Sequence, residues 1–374
     1  MVQFGNKLYM NIYDEEKDNH SEVETQKKKS AKSGSFFKRL ILIVAILLSF
    51  AFVSSAFAVY RAGSTYIKIS DSNNPVWENI LSFIPFNDNS FVGKLLASDE
   101  SILEQDAERI NVAVMGIRGK DDPNGGLLAD TIMIMSINME DNKLALISIP
   151  RDLYVKVPYT ETMAKINFVH AHGEVNGGQG ITLMKEILET VTGLKIHFAI
   201  SVNFEAFKET VDILDGITVH VPKDFSETQQ WQGEPFFVSA GDQKMDGETA
   251  LLYARARYST SDFDRARRQQ EILVAVGNKA SSAGVLLNPV KMNAFLDVIG
   301  DNVKTDMKVR EMKKMVEIAR KLDLGDVKKR VFDSTETGLL EDKITEIGEY
   351  ILVPRGSTFA EINQVCRNIF NKEQ

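Results

Sequence analysis

The stretch from Thr131 to Ile149 constrains the fold of this chain more than any other. It holds two apolar runs, TIMIMSI (131–137) and LALISI (144–149), joined by the polar turn Met139-Glu140-Asp141-Asn142. Neither run alternates apolar with polar residues, so each strand buries both of its faces. The short polar link between them predicts an antiparallel hairpin. Such a hairpin needs cover above and below, and the flanking sequence supplies it. Val112, Val114 and Ile117 begin a strand before it, and Phe198 to Val202 and Ile217 to Val221 form strands after it. Ile181, Met184, Ile187, Leu188 and Val191 share one helical face, which Gly193 stops. Asn203 is placed to cap a helix running to Asp215-Gly216, and Asp246 to cap the helix carrying Ala250, Leu251 and Tyr253. The chain closes on a strand, Tyr350 to Val353, and a helix, Thr358 to Phe370. This alternation predicts an α/β fold whose mixed central sheet is covered by helices on both faces, an α-β-α arrangement.

The N-terminal part has another character. Leu40 to Tyr60 reads LILIVAILLSFAFVSSAFAVY and carries no charge. A helix of that length spans about 30 Å, the thickness of a bilayer core. Lys27, Lys28, Lys29, Lys32, Lys38 and Arg39 precede it, which places the N terminus in the cytoplasm. The expected organisation is a disordered cytoplasmic tail (1–38), a single transmembrane signal anchor (39–61), a membrane-proximal connector (62–108) and an extracytoplasmic domain (109–374). Within the connector, Trp77 to Phe86 and Phe91 to Leu96 read as short helices. The competing reading is a signal peptide cleaved after Ala56-Phe57-Ala58, which the long polar leader disfavours.

The one cysteine, Cys366, excludes an internal disulfide framework and a cysteine-rich zinc site. His170 and His172 are too few for a metal centre. At a formal charge of -8 the chain is acidic, and Tyr253 to Gln270 (YARARYSTSDFDRARRQQ) is a local exception. It holds Arg255, Arg257, Arg265, Arg267 and Arg268, with Asp262 and Asp264 among them. Arg255 and Arg257, two apart, suit one side of an extended segment. Arg265, Arg268 and Gln269 share one helical face. Planar, permanently charged guanidinium groups in such an array suit phosphate oxygens. The alternative is a solvated helix face laced with ion pairs.

Three further pieces complete the pattern: Ala129-Asp130-Thr131, Ser148-Ile149-Pro150-Arg151-Asp152, and Lys165-Ile166-Asn167. With VDILDGITVHVP, MDGETALLYARAR and DFDRARRQQ following in order, residues 110 to 275 resemble the LytR-CpsA-Psr family of cell-envelope proteins. The resemblance implies a phosphotransferase outside the membrane. It would take a glycan polymer from a polyprenyl-pyrophosphate carrier and attach it through a phosphodiester to a cell-wall sugar hydroxyl, commonly on peptidoglycan. The isoprenoid would lie in an apolar groove, for which Ile181, Met184, Ile187, Leu188 and Val191 are candidates. By the same resemblance Arg151, Lys165, Arg255, Arg257, Arg265, Arg268 and Gln269 contact the pyrophosphate. Fixed cations stabilise the charge that gathers on a departing phosphate. Asp262 is the candidate general base for the acceptor hydroxyl, or else an ion pair that orients Arg265. Asp152 is expected to brace the arginines.

The resemblance also implies a magnesium ion held by aspartates, of which Asp130 is one. This chain departs there. Arg118 stands where the family commonly has an aspartate, and Leu128 where it commonly has an arginine. Either Asp121 or Asp122 completes the metal site, or Arg118 replaces the metal's charge. Two other functions use the same features: a polyprenyl-pyrophosphate hydrolase or carrier-binding protein without ligase activity, and a transcriptional attenuator. The second needs nucleic acid at arginines that the anchor places outside the cell, so nucleic acid is not an expected partner.

Overall fold

The computed structural model describes residues 108–122, 126–230, 235–282 and 302–371. The tail, the anchor and the connector lie outside the described residues. Among the described residues no helix is long and apolar enough to cross a membrane.

In chain order the strands are β1 (Arg109–Ile117), β2 (Thr131–Asn138), β3 (Lys143–Ser148), β4 (Tyr154–Lys156), β5 (Met163–Lys165), β6 (Phe198–Asn203), β7 (Ile217–Val221), β8 (Phe225–Glu227), β9 (Phe236–Val238), β10 (Gly241–Met245), β11 (Val303–Thr305), β12 (Asp323–Val331), β13 (Leu340–Ile344) and β14 (Tyr350–Pro354). The helices are α1 (Ile166–Val175), α2 (Gly180–Thr192), α3 (Phe204–Ile213), α4 (Gly247–Arg255), α5 (Asp262–Ser282), α6 (Val309–Ala319) and α7 (Ala360–Arg367).

Six strands form the central sheet in the order β11-β6-β1-β2-β3-β12. β2 and β3 are the expected hairpin, with Asn138 opposite Lys143. Asn138 Oδ1 accepts from the amides of Glu140 and Asp141, and Asn142 takes a left-handed φ of 54° to close the turn. β1 runs antiparallel to β2 and parallel to β6, and β3 runs parallel to β12, so the sheet is mixed. β7 and β14, expected as strands, are strands outside the central sheet: β7 pairs with β10, and β14 with β13.

Alternation along the strands feeds two cores. Ala113, Met115, Ile132 and Ile134 face one core, which also takes in Ile181, Met184, Ile187, Leu188 and Val191 of α2. Ile110, Val112, Met133 and Ile137 face the other, together with Leu273 of α5 and Met312 of α6. Helices therefore cover both faces, as the hairpin requires. The caps form as their residue types dictate. Asn203 Oδ1 accepts from Ala206 N at 2.8 Å, Asp246 Oδ1 from Thr249 N at 2.8 Å, and Gly193 ends α2 at φ 64°.

Candidate functional site

The site lies where β1, β2, α4 and α5 converge. Asp130 directly precedes β2, and Arg151 follows the end of β3, so the buried hairpin brings both to one end of the sheet. Arg151 Nη1 donates to Asp130 Oδ1 at 2.6 Å. Arg118, just past β1, places its Nε 3.4 Å from Asp130 Oδ2. Arg265 on α5 donates to the Asp130 carbonyl at 3.1 Å and to Asp262 Oδ2 at 2.8 Å. Burial works to raise the pKa of Asp130, but Arg151, Arg265 and Arg118 outweigh it and hold the carboxyl below its usual value. Burial pushes Arg265 down to about 10, against the pull of Asp262, and leaves it charged at neutral pH.

Arg255 and Arg257 reach the same pocket by another route than expected. Arg255 closes α4, and Ala256 alone is extended (φ −57, ψ 130). Gln230 fixes this exit, donating to the Arg255 carbonyl at 3.0 Å and accepting from Arg257 N at 2.8 Å. The fully buried Glu227 accepts from Ser259 N at 2.9 Å and from Gln229 N at 3.0 Å, which holds the loop beyond. Arg255 stacks on Phe204, with its guanidinium carbon 4.6 Å from the ring centre. Among the described residues no carboxylate lies within ion-pair distance of it. Arg257 lies over the Tyr258 ring at 5.2 Å, and its one carboxylate partner among the described residues is loose, Asp262 at 3.9 Å.

Arg118, Arg151, Arg255, Arg257, Arg265 and Gln269 thus line one pocket of about 210 Å3, in which Asp130 is the only carboxylate among the described residues. Through Thr131, Phe204, Arg255 and Gln269 this pocket continues into a cavity of about 450 Å3. The cavity walls are apolar, with Val114, Met133, Ile200, Phe207, Leu273 and Val276 among them. Its volume is in the range of small-molecule sites. Each 100 Å3 of unfilled apolar space withholds about 2 kcal/mol of packing.

Two expectations need correction. The cavity lies against the β1-β2-β6 face that α3, α4, α5 and α6 cover, whereas Ile181, Met184, Ile187, Leu188 and Val191 pack into the closed core on the opposite face. They do not line it. Arg268 also stands outside the pocket. It is 7% exposed, donates to the carbonyls of Tyr253 and Ala256, and lies over the rings of Phe225 and Tyr253. Its physical work is to hold the end of α4 against α5. Arg267 faces outward, paired with Asp264 at 2.9 Å and Asp333 at 3.3 Å.

Lys165 sits at a second rim, 2.9 Å from Asp152 and 3.5 Å from Glu349. Asp152 also lies 3.6 Å from Arg151 Nε, so it braces the cluster as expected. Three buried atoms here, Arg151 Nε, Arg265 Nε and Asp262 Oδ1, have no hydrogen-bond partner. Leaving such an atom without a hydrogen bond costs about 1–3 kcal/mol.

The residues present do not fit a resident magnesium ion. Both oxygens of Asp130 are taken by guanidinium groups. Asp122 leans 3.8 Å from Arg118, and neither it nor Asp121 lines the pocket. Among the described residues no cluster of three or more histidine, cysteine, aspartate or glutamate side chains is arranged to hold a metal.

The sequence reading missed Thr131, Phe204, Gln230, Tyr258 and Tyr350. Thr131 and Tyr258 carried a signal, since one adjoins Asp130 and the other the Arg255–Arg257 pair.

The fold and site define an α/β protein with a cation-lined, phosphate-sized pocket at the mouth of an apolar cavity. The model of the LytR_cpsA_psr family matches residues 86–362, and the chain belongs to that family. Polyisoprenyl-teichoic acid–peptidoglycan teichoic acid transferase TagU of Oceanobacillus iheyensis is 32% identical over 216 residues, 57% of this chain and 64% of the relative. TagU of Bacillus subtilis, with the same full name, is 29% identical over 218 residues, 58% of this chain and 66% of the relative. The matches therefore span a little under two thirds of those relatives' length. A solved structure of TagT bound to LI-WTA has the same fold, with a TM-score of 0.55 at 22% identity over 73% of this chain and 94% of that one.

Proposed function

We propose that this chain moves a glycopolymer from a polyprenyl-pyrophosphate carrier to a sugar hydroxyl of the cell wall, commonly on peptidoglycan, as a phosphodiester. The observation that carries this reading is the continuity of the apolar cavity with the arginine pocket, which share Arg255 and Gln269. An isoprenyl chain fits the first and a pyrophosphate the second. The named activity of the TagU relatives is of the same kind.

In this reading the acceptor oxygen attacks the glycan-bearing phosphorus. The bond from that phosphorus to the bridging oxygen breaks, and polyprenyl phosphate leaves toward the cavity. Arg151, Arg257 and Arg265 neutralise the transferred phosphate, and Arg255 the leaving one. Asp262, which lines a groove beside Arg151 and Arg257, takes the acceptor proton. Mass spectrometry of an organic extract of the purified protein tests the carrier site. A bound isoprenyl phosphate supports it, and an apolar cavity that takes up no added isoprenyl pyrophosphate contradicts it.

We also propose that Arg118 supplies the charge which a divalent ion would otherwise bring to Asp130. Carrier binding and transfer should then survive chelation within about twofold. Arg118→Asp should make both depend on magnesium, because a hard ion prefers oxygen ligands. Loss of wild-type carrier binding in a chelator, restored by magnesium, would show instead that a metal displaces Arg118.

The anchor over 39–61, which places the catalytic domain outside the membrane, remains part of this proposal. Digestion of that domain by external protease in wall-stripped cells supports it, and protection contradicts it.

A further inference from the structure

The arginine pocket has a second opening. A groove of about 360 Å3 is lined by Arg151, Asp152, Lys165, Arg257, Tyr258, Asp262 and Tyr350. It shares Arg151, Arg257 and Tyr258 with the arginine pocket and no lining residue with the apolar cavity. The groove and the apolar cavity therefore meet the arginine pocket at separate openings.

The C-terminal hairpin builds one wall of the groove. Leu352 on β14 donates its amide to the Asp152 carbonyl at 2.9 Å, which docks the hairpin beside the Arg151-Asp152 strand end. Tyr350 opens β14, and its hydroxyl is tied to Asp342 at 2.6 Å. The ring is thereby fixed in place, and at 40% exposed it offers the groove an apolar surface. Tyr258, 55% exposed, stands on the loop held by Glu227. Asp262 lines the groove with these two rings.

We infer that this groove is the acceptor subsite and takes a pyranose ring of a wall glycan, with its free hydroxyl turned toward Asp262. The inference rests on the transfer reading above. Phosphoryl displacement puts attacking and leaving oxygens roughly in line. The lipid-bearing phosphate leaves toward the apolar cavity, so the attack must come from an opening away from it. Two aromatic rings suit the apolar C–H face of a sugar, and Lys165, Arg151 and Asp152 offer partners to its hydroxyls.

The test uses the full-length chain in detergent. The donor is a short polyprenyl-pyrophosphate-linked disaccharide, and the acceptor is soluble, uncross-linked peptidoglycan strands. Transfer is measured against acceptor concentration, and donor binding is measured separately. Tyr350→Ala should raise the acceptor KM about fivefold, with donor affinity unchanged. Tyr350→Phe keeps the ring but loses its tie to Asp342, and should raise the acceptor KM less than Tyr350→Ala does. Should Tyr350→Ala fail to fold, Tyr258→Ala on the exposed loop should show the same rise. A folded Tyr350→Ala or Tyr258→Ala with wild-type acceptor KM overturns the subsite while leaving the transfer reading intact. A wild-type chain that binds donor but attaches none of it to the strands overturns both.

Discussion

Arg255→Ala should weaken carrier binding by about tenfold to a hundredfold and lower transfer at least as much. The guanidinium stands at the junction of the arginine pocket and the apolar cavity. The neighbouring cations are committed to carboxylates: Arg151 to Asp130 at 2.6 Å, and Arg265 to Asp262 at 2.8 Å. Arg255 instead rests on Phe204, which leaves its donors for a phosphate. Burial, with the charge of Arg118, lowers its pKa, so the isolated cation gains from an incoming anion. A charge-assisted hydrogen bond is worth about 1.5–3 kcal/mol, which sets the size of the loss. The fold should survive, because the side chain donates no hydrogen bond that holds a neighbouring segment among the described residues. Arg267→Ala is the matched control. Arg267 is half exposed and spends itself on Asp264 and Asp333, so its loss should leave carrier affinity within about twofold. Equal affinities for the two variants, measured by titration with an isoprenyl pyrophosphate, would mean that the cluster is a solvated face after all.

Asp262→Asn should lower transfer by about a hundredfold to ten-thousandfold while leaving the carrier bound. Asp262 begins α5, with one oxygen on Arg265 Nη2 at 2.8 Å and the other without a hydrogen-bond partner. Asparagine preserves an acceptor for Arg265 but cannot take the acceptor proton. The variant therefore separates the two roles that the sequence left open. If Asp262 only orients Arg265, Asp262→Asn should keep most of its turnover. If it is the base, turnover falls while donor affinity stays. Single-turnover transfer with saturating donor makes the distinction.

The parts of this molecule that were legible in the sequence are those whose physics is local. The β2-β3 hairpin followed from two uninterrupted apolar runs and a polar turn, and the Asn203 and Asp246 caps from residue type and position. Arg151, Arg255, Arg257, Arg265 and Gln269 were named as a set through the family resemblance, since the arginine cluster alone also fitted a solvated face laced with ion pairs. What failed depended on distant segments. Arg268 shares a helical face with Arg265 in sequence. The rings of Phe225 and Tyr253, together with the carbonyls of Tyr253 and Ala256 at the buried end of α4, claim it in three dimensions. The apolar cavity was placed on the wrong side of the sheet for the same reason. Apolar residues lining a void and apolar residues filling a core have the same composition. Only the placement of α3, α4 and α6 around β1, β2 and β6 decides which they are. Tyr350 reaches the site from the far end of the chain through a single docked hairpin, which no local pattern announces.

The arginine pocket should pass a glycan phosphate to a wall sugar rather than to water. The most direct measurement incubates the full-length protein with a polyprenyl-pyrophosphate disaccharide labelled in its sugar, together with soluble peptidoglycan strands, and identifies where the label goes. Label joined to the strands through an alkali-stable, phosphodiesterase-sensitive bond, with polyprenyl monophosphate released in equal amount, is the predicted result. Label released only as free sugar phosphate, with unmodified strands, would contradict the account and make the protein a hydrolase of the same carrier.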